Sequence, residues 1–210
     1  MREMLNASVD KTVEWQPSYN IAPGQRAPIV IQNEEEKNRI ELAPWGFLPP
    51  WGGEKAFPLI NARAETVASS RAFKSAYESN RCLVPFTHFY EWKKARTKIP
   101  YAIHLKQSEI GMFAGIYSIN EGVKHYAILT TSPNPLMRTI HDRMPVILSP
   151  KGQKVWLDPS SPNEKRALLL APFDESKLDA FPISPRVNNP RNNSPDLIRP
   201  WKEPQRKLGE

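Results

Sequence analysis

The chain has one cysteine in 210 residues, Cys82, so an intramolecular disulfide is impossible. No stretch approaches the roughly 18 apolar residues that a membrane-spanning helix needs. The opening Met-Arg-Glu-Met-Leu-Asn lacks the apolar core of a secretory signal. The histidines His88, His104, His125 and His141 form no i,i+4 pair, and no second thiolate is present to build a zinc site with them. Neither G-x-G-x-x-G nor G-x-x-x-x-G-K-[ST] occurs, so no glycine-rich loop is available to cradle a nucleotide phosphate. These absences set the expectations: no cofactor, no metal, no membrane partner, and a reduced, cytoplasmic or nucleoid-associated setting.

What is present points to a folded, basic protein. Hydrophobic residues make up 40% of the chain and charged residues 24%, enough apolar material for a real core. The length suits one domain, taken here as residues 1–200, followed by a basic tail over 201–210. A net charge of +7 and a pI near 9.5 make a polyanion a plausible partner. The 22 prolines, about twice average usage, argue against a helical bundle and for short strands joined by rigid turns.

Along the chain, Pro28–Gln32 and the start of Arg39–Gly53 read as strands, the second breaking at prolines and leaving Trp45 and Trp51 on or beside a loop. Glu65 to Asn80 reads as a helix, with Val67, Ala72, Phe73, Ala76 and Tyr77 near one face. CLVPF, FYEW, YAIHL, MFAGIYSI and HYAILTT follow as short β-rich runs, the pattern of an antiparallel sheet or barrel. Ser132-Pro133, Ser149-Pro150 and Ser161-Pro162 each announce a helix start, and Glu164 completes a capping box with Ser161. Beyond Val187 the chain is poor in apolar residues, which predicts an extended segment on the body and then the loose tail. The fold class is therefore α+β, a single domain with an antiparallel, barrel-like sheet core and peripheral helices.

Polar residues embedded among apolar ones are the candidate site. Asn61 and Arg63 follow the apolar Pro58-Leu59-Ile60. Glu91 lies inside the aromatic run Phe89-Tyr90-Glu91-Trp92, where desolvation raises a carboxyl pKa and suits it to proton transfer near neutral pH. His141 is flanked by Asp142 and Arg143 and precedes an apolar strand. Together these residues supply an acid/base pair, an amide and a cation. From spacing alone the commoner outcome is a solvated or salt-bridged glutamate and a hydrogen-bonded structural histidine.

The motifs YNIAPGQ (Tyr19–Gln25), WGFLPPW (Trp45–Trp51), INARAET (Ile60–Thr66), RCLVP with FYEW (Arg81–Trp92) and IHDRMPVIL (Ile140–Leu148) occur in order and in register. This arrangement resembles the SRAP family, the SOS-response-associated peptidases, over residues about 15 to 200. The resemblance implies binding of single-stranded DNA and a covalent cross-link to abasic sites. In that chemistry an N-terminal cysteine, freed by loss of the initiator methionine, condenses through its amine and thiol with the lesion's aldehyde to give a thiazolidine. It further implies lyase chemistry and self-processing peptidase activity. Carried over by motif, the catalytic residues are Asn61, Glu91 and His141, the phosphate-binding arginine is Arg63, and Trp51, Arg71, Thr130 and Arg143 lie on the DNA-binding surface. A monomer is expected.

Two departures stand out. Position 2 holds Arg2 and not cysteine, so no nucleophile of the family's kind is in the sequence as written. The expectation is a start assigned too late or a truncated form of the chain, and not natural loss, which an upstream frame beginning Met-Cys-Gly-Arg would test. Cys82, in an apolar run and without an adjacent amine, is not expected to substitute. The second departure is Thr87-His88, where many family members have Asp-Gly; His88 is expected as an exposed turn residue. The competing reading is a non-covalent lesion-binding module without catalysis. A peptidase acting on other proteins has little support, because Glu91 and His141 would lack a nucleophile or a metal.

Overall fold

A computed structural model describes residues 8–9, 15–32, 37–51, 57–94 and 97–202. In chain order its strands are β1 (Ser8–Val9), β2 (Arg26–Gln32), β3 (Asn38–Pro44), β4 (Asn61–Arg63), β5 (Arg81–Phe86), β6 (His88–Lys93), β7 (Ile99–Leu105), β8 (Gly111–Asn120), β9 (Val123–Thr131), β10 (Met144–Pro145) and β11 (Leu178–Pro182). The helices are α1 (Lys74–Ser79), α2 (Pro135–Arg138), α3 (Pro150–Leu157) and α4 (Asn163–Leu168). One sheet runs β1-β3-β2-β5-β8-β9-β10, with β4 added parallel to β9; the other runs β11-β7-β6.

The apolar runs become strands because each has two faces to bury. In β5, Leu83 points into a core with Val30, Ile116, Leu129, Tyr77 and Trp156. Its neighbours Cys82 and Val84 point the other way, toward Ile29, Phe113, Met137 and Ile147. A strand buried on both faces reads as an unbroken apolar run, as CLVPF does. Helices α1 and α3 cover the first face. The second faces the smaller sheet, whose Phe89, Ile103 and Leu178 join the same core. Strands β8 and β9 are joined by Glu121-Gly122, both with positive φ, the two-residue turn whose twist matches a hairpin.

The expected antiparallel, barrel-like α+β domain is what forms. The large sheet curls until Trp45, just past β3, bridges Tyr126 on β9, with the Gly46 N–H donating to the Tyr126 carbonyl at 2.8 Å. That contact is a single bridge, so the barrel stays open. Among the described residues no helix is long and apolar enough to cross a membrane.

Three local expectations change. The helix predicted over Glu65–Asn80 shrinks to α1, because residues 64–73 form successive turns in which Ser69 and Ser70 N–H groups both return to the Thr66 carbonyl. The Ser69 hydroxyl donates to the same carbonyl at 3.3 Å, a local side-chain bond of the kind that competes with helix. Yet Val67, Ala76 and Tyr77 are buried as the helical face required. Asn134, not Ser132, caps α2 by accepting from the Met137 N–H at 2.8 Å. Ser149 caps α3 as expected, whereas the Ser161 capping box does not form and the N-cap of α4 is Pro162. The segment beyond Val187 winds into short 3-10 turns that bury Val187 and Leu197 against Ala102 and Ile183. Within the predicted tail, Trp201 and Lys202 are described, and 203–210 lie outside the described residues.

Arg81 ties the helices to the sheet. Almost fully buried, it donates to the carbonyls of Tyr77, Glu78, Trp156 and Asp158, which end α1 and α3. Burial, with Arg166 beside it, brings its pKa down to about 10. Carbonyls at helix C-termini lack intrahelical donors, and a buried cation serves them. Arg81→Met should therefore cost about 3 kcal/mol of unfolding free energy. A denaturant titration checks this; an unchanged midpoint would contradict the role.

Candidate functional site

The site forms where β4 adds to β9 and the smaller sheet approaches α2. Strand alternation leaves Asn61 and Arg63 exposed and turns Ala62 into the core. Register places Arg63 beside Thr130, whose carbonyl also accepts from the Ala64 N–H at 2.8 Å. No described residue engages the Asn61 side-chain amide or pairs with the Arg63 guanidinium at hydrogen-bond distance, so both are open to a ligand.

Arg143 closes the same corner from the other side. Its guanidinium donates twice to Glu65, at 2.6 and 2.8 Å, and at 2.6 Å to the Thr130 carbonyl. Arg143 therefore sits in an internal fork with Glu65, which sequence reasoning passed over as a helix-start residue. This pairing holds the Glu65 carboxyl below the usual carboxylate range. In INARAET the nearest cation to Glu65 is Arg63, two residues before it, and nothing local signals that the partner comes from a loop 78 residues away.

His141 is held by the same short loop. Its backbone N–H donates to the Met137 carbonyl at 2.7 Å, and the Arg143 N–H donates to its Nδ1 at 3.2 Å. Nδ1 lies 3.3 Å from an Asp142 carboxylate oxygen and 3.8 Å from Oε2 of Glu91. Glu91 arrives from the other sheet. Alternation along β6 puts Tyr90 and Trp92 in the outer cluster with Val187, and Phe89 and Glu91 on the opposite face. Burial raises the Glu91 carboxyl above its ordinary value, a rise that His141 and the Trp92 backbone N–H partly offset and Asp142 reinforces. A carboxyl that keeps its proton to higher pH, beside an imidazole, can donate and retrieve a proton in turn.

Beside His141 opens a cleft of ≈ 450 Å³ lined by Lys94, Pro133, Arg138, Thr139, Ile140, His141 and Asp142. Arg138 was not singled out in the sequence, although it lies three residues before His141 on the exposed side of α2. Trp51 and Arg71 form a separate unit: the guanidinium carbon lies 4.8 Å from the indole centroid, and the indole is half exposed. Among the described residues no hydrogen bond, ion pair or ring contact joins this unit to Glu91 or His141. Trp45 packs flat against Tyr126 and donates to the Ile60 carbonyl at 2.8 Å.

His88 is not on an exposed turn. It begins β6, half-buried, with its ring 5.2 Å from that of His104 across the sheet. Cys82 is fully buried, and burial pushes its thiol pKa up, away from nucleophilic use. Position 2 lies outside the described residues. Among the described residues no group of three or more His, Cys, Asp or Glu could hold a metal ion.

Glu91 and Glu65 carry opposite linkages to folding. The folded state holds the Glu91 proton where the unfolded chain has released it, so stability from this position falls as pH rises above 4.5, until the native carboxyl ionises. Glu65 does the reverse: its stabilisation is present above 4.5 and is lost as pH falls through its lowered folded value. Relative to wild type, Glu91→Gln should gain stability and Glu65→Gln should lose it as pH is raised from about 4 to about 7. Denaturant titrations at several pH values check the signs; parallel curves for the two variants would contradict both environments.

A family model described as SOS response associated peptidase (SRAP) matches residues 1–190. The chain is 44% identical over 196 residues to the abasic site processing protein YoaM of Bacillus subtilis (strain 168), covering 88% of this chain and 86% of that protein. It is 27% identical over 208 residues to the abasic site processing protein YedK of Escherichia coli (strain K12), covering 94% and 92%. Among solved structures, a protein from Bacteroides thetaiotaomicron superposes with a TM-score of 0.72 at 29% identity, covering 85% of this chain and 82% of that one. With its motifs, its fold and 190 matched residues in agreement, the chain belongs to the SOS response associated peptidase family.

Proposed function

We propose that the protein binds single-stranded DNA and processes abasic sites in it, with the lesion's open-chain sugar at Glu91 and His141. One observation carries the reading: β6 of the smaller sheet and the loop after α2 bring Glu91 and His141 to within 3.8 Å of each other, and Arg143 of that loop reaches the Thr130 carbonyl opposite Arg63. The relatives named above as abasic site processing proteins support the substrate class. The net charge of +7 supports a polyanionic partner.

The chemistry follows from the lesion. An abasic deoxyribose in its open form carries an aldehyde at C1′. An attacking amine adds to it to give a carbinolamine, and loss of water from the carbinolamine needs a proton delivered to the departing hydroxyl. Glu91, with its raised pKa, supplies that proton, and His141 accepts the one leaving the nitrogen. Asn61 orients the sugar through its amide, and Arg63 holds a flanking phosphate. Trp51, with Arg71 against it, offers a face for an exposed base. Arg143 and Thr130 position the loop that presents His141. In the family's cross-link, an N-terminal cysteine amine and thiol complete the thiazolidine, and Cys82 is too deeply buried to take that part. Lyase and self-processing chemistry are proposed to use the same proton pair, in a monomer acting inside the cell.

The test is incubation with single-stranded DNA carrying one abasic site, followed by denaturing gel and intact mass, for this chain and for a version extended to begin Met-Cys-Gly-Arg. The extended version should form a stable adduct, and Glu91→Gln should slow its formation by about a hundredfold. Binding without an adduct in either version would leave a non-covalent lesion-binding module and remove the catalytic roles of Glu91 and His141. Arg63→Ala should weaken binding and lower the slope of log affinity against log salt by about 0.7. An affinity independent of salt would contradict the phosphate contacts.

A further inference from the structure

Most of the arginines and several lysines that the structure describes near the body are already occupied. Arg81 and Arg166 serve the carbonyls of Tyr77 and Glu78, Arg143 is forked onto Glu65, Arg186 pairs with Asp196, and Lys124 pairs with Glu41. Lys94 and Arg138 differ. Both are exposed, neither is paired with a described residue, and both line the ≈ 450 Å³ cleft that ends at His141. They come from separate elements: Lys94 directly follows β6, which carries Glu91, and Arg138 ends α2, three residues before His141.

The cleft's lining is divided. It combines two cations, Lys94 and Arg138, with the apolar Pro133 and Ile140, and Asp142 has its carboxylate 3.3 Å from Nδ1 of His141. The volume is within the roughly 300–1,000 Å³ of sites that take a ligand-sized group. A group with one anionic edge and one apolar face fits this lining; a second anion beside Asp142 would be repelled. A sugar with its phosphate has that character.

We propose that the cleft is a subsite for the phosphodiester and sugar flanking the lesion, with the phosphate on Lys94 and Arg138 and the sugar over Pro133 and Ile140. The subsite rests on the single-stranded DNA reading above. It would fix the direction of the strand past Glu91 and His141, because only one side of the lesion has this cleft.

The test uses the full chain and single-stranded DNA with a tetrahydrofuran abasic analogue, which binds without reacting, measured by fluorescence anisotropy at about 50 mM and about 200 mM salt. Lys94→Gln with Arg138→Gln should weaken binding about tenfold and reduce the salt slope by about 0.7. Both residues are exposed, so the melting temperature should not move. Lys151→Gln with Lys154→Gln, exposed on α3, removes the same charge elsewhere and should leave affinity within about twofold. Strands cut back to lack phosphates on one side of the lesion should bind wild type and the cleft variant alike on one side only.

Wild-type affinity in the cleft variant, an equal loss in the α3 variant, or a deficit that persists whichever side is cut back would each overturn the subsite. Absence of wild-type binding to the strand would instead overturn the DNA reading itself, and the subsite with it.

Discussion

The site depends on one ionic fork. Arg143 reaches from the loop after α2 to the carboxylate of Glu65 and the carbonyl of Thr130, and so joins β4, β9 and the His141 loop at a single guanidinium. Glu65 is half exposed, so solvent screens the pair and its contribution to stability is modest. Its value is geometric. A bidentate fork fixes direction as well as distance, and with the Arg143 N–H donating to Nδ1 the imidazole is set facing Glu91. The resemblance to the SRAP family placed Arg143 among DNA-contacting residues; in the protein without DNA, that guanidinium is committed to Glu65.

Around this fork the fold sorts its cations. Those that serve the architecture are buried or paired, as Arg81 is at the ends of α1 and α3. Arg63 on β4, and Lys94 and Arg138 on the cleft beside His141, are exposed and pair with no described residue. A strand of DNA laid across β4 and the cleft would meet charge that folding has not consumed. The two-sheet construction explains why the acid and the imidazole can sit so close: β6 turns Glu91 inward by alternation alone, and a one-turn helix stops short enough to bring His141 to meet it.

Much of this was legible in the sequence. The β-rich runs from Arg81 to Thr131 became the sheets, and Glu91 within FYEW read correctly as a desolvated carboxyl. The motif order pointed to the family before any geometry was known. Other features were hidden for physical reasons. A helical period over Glu65–Asn80 was real in its burial, yet hydroxyl-rich turns replaced most of the helix. Ser161 had the right spacing for a cap and was bypassed for Pro162. Glu65 and Arg138 could not be found by local pattern, since one acquires its role from a partner distant in sequence and the other from the cleft wall. His88 looked like a turn residue because its neighbour across the strand, His104, is visible only in the register.

The central claim is that the lesion lies between Glu91 and His141. The most direct measurement replaces the abasic nucleotide with one bearing a photoreactive diazirine, irradiates the bound strand and maps the labelled peptides by mass spectrometry. The account predicts labelling concentrated in 60–65, 88–94 and 138–143. Labelling concentrated instead on α3, α4 or the β8–β9 hairpin would contradict it.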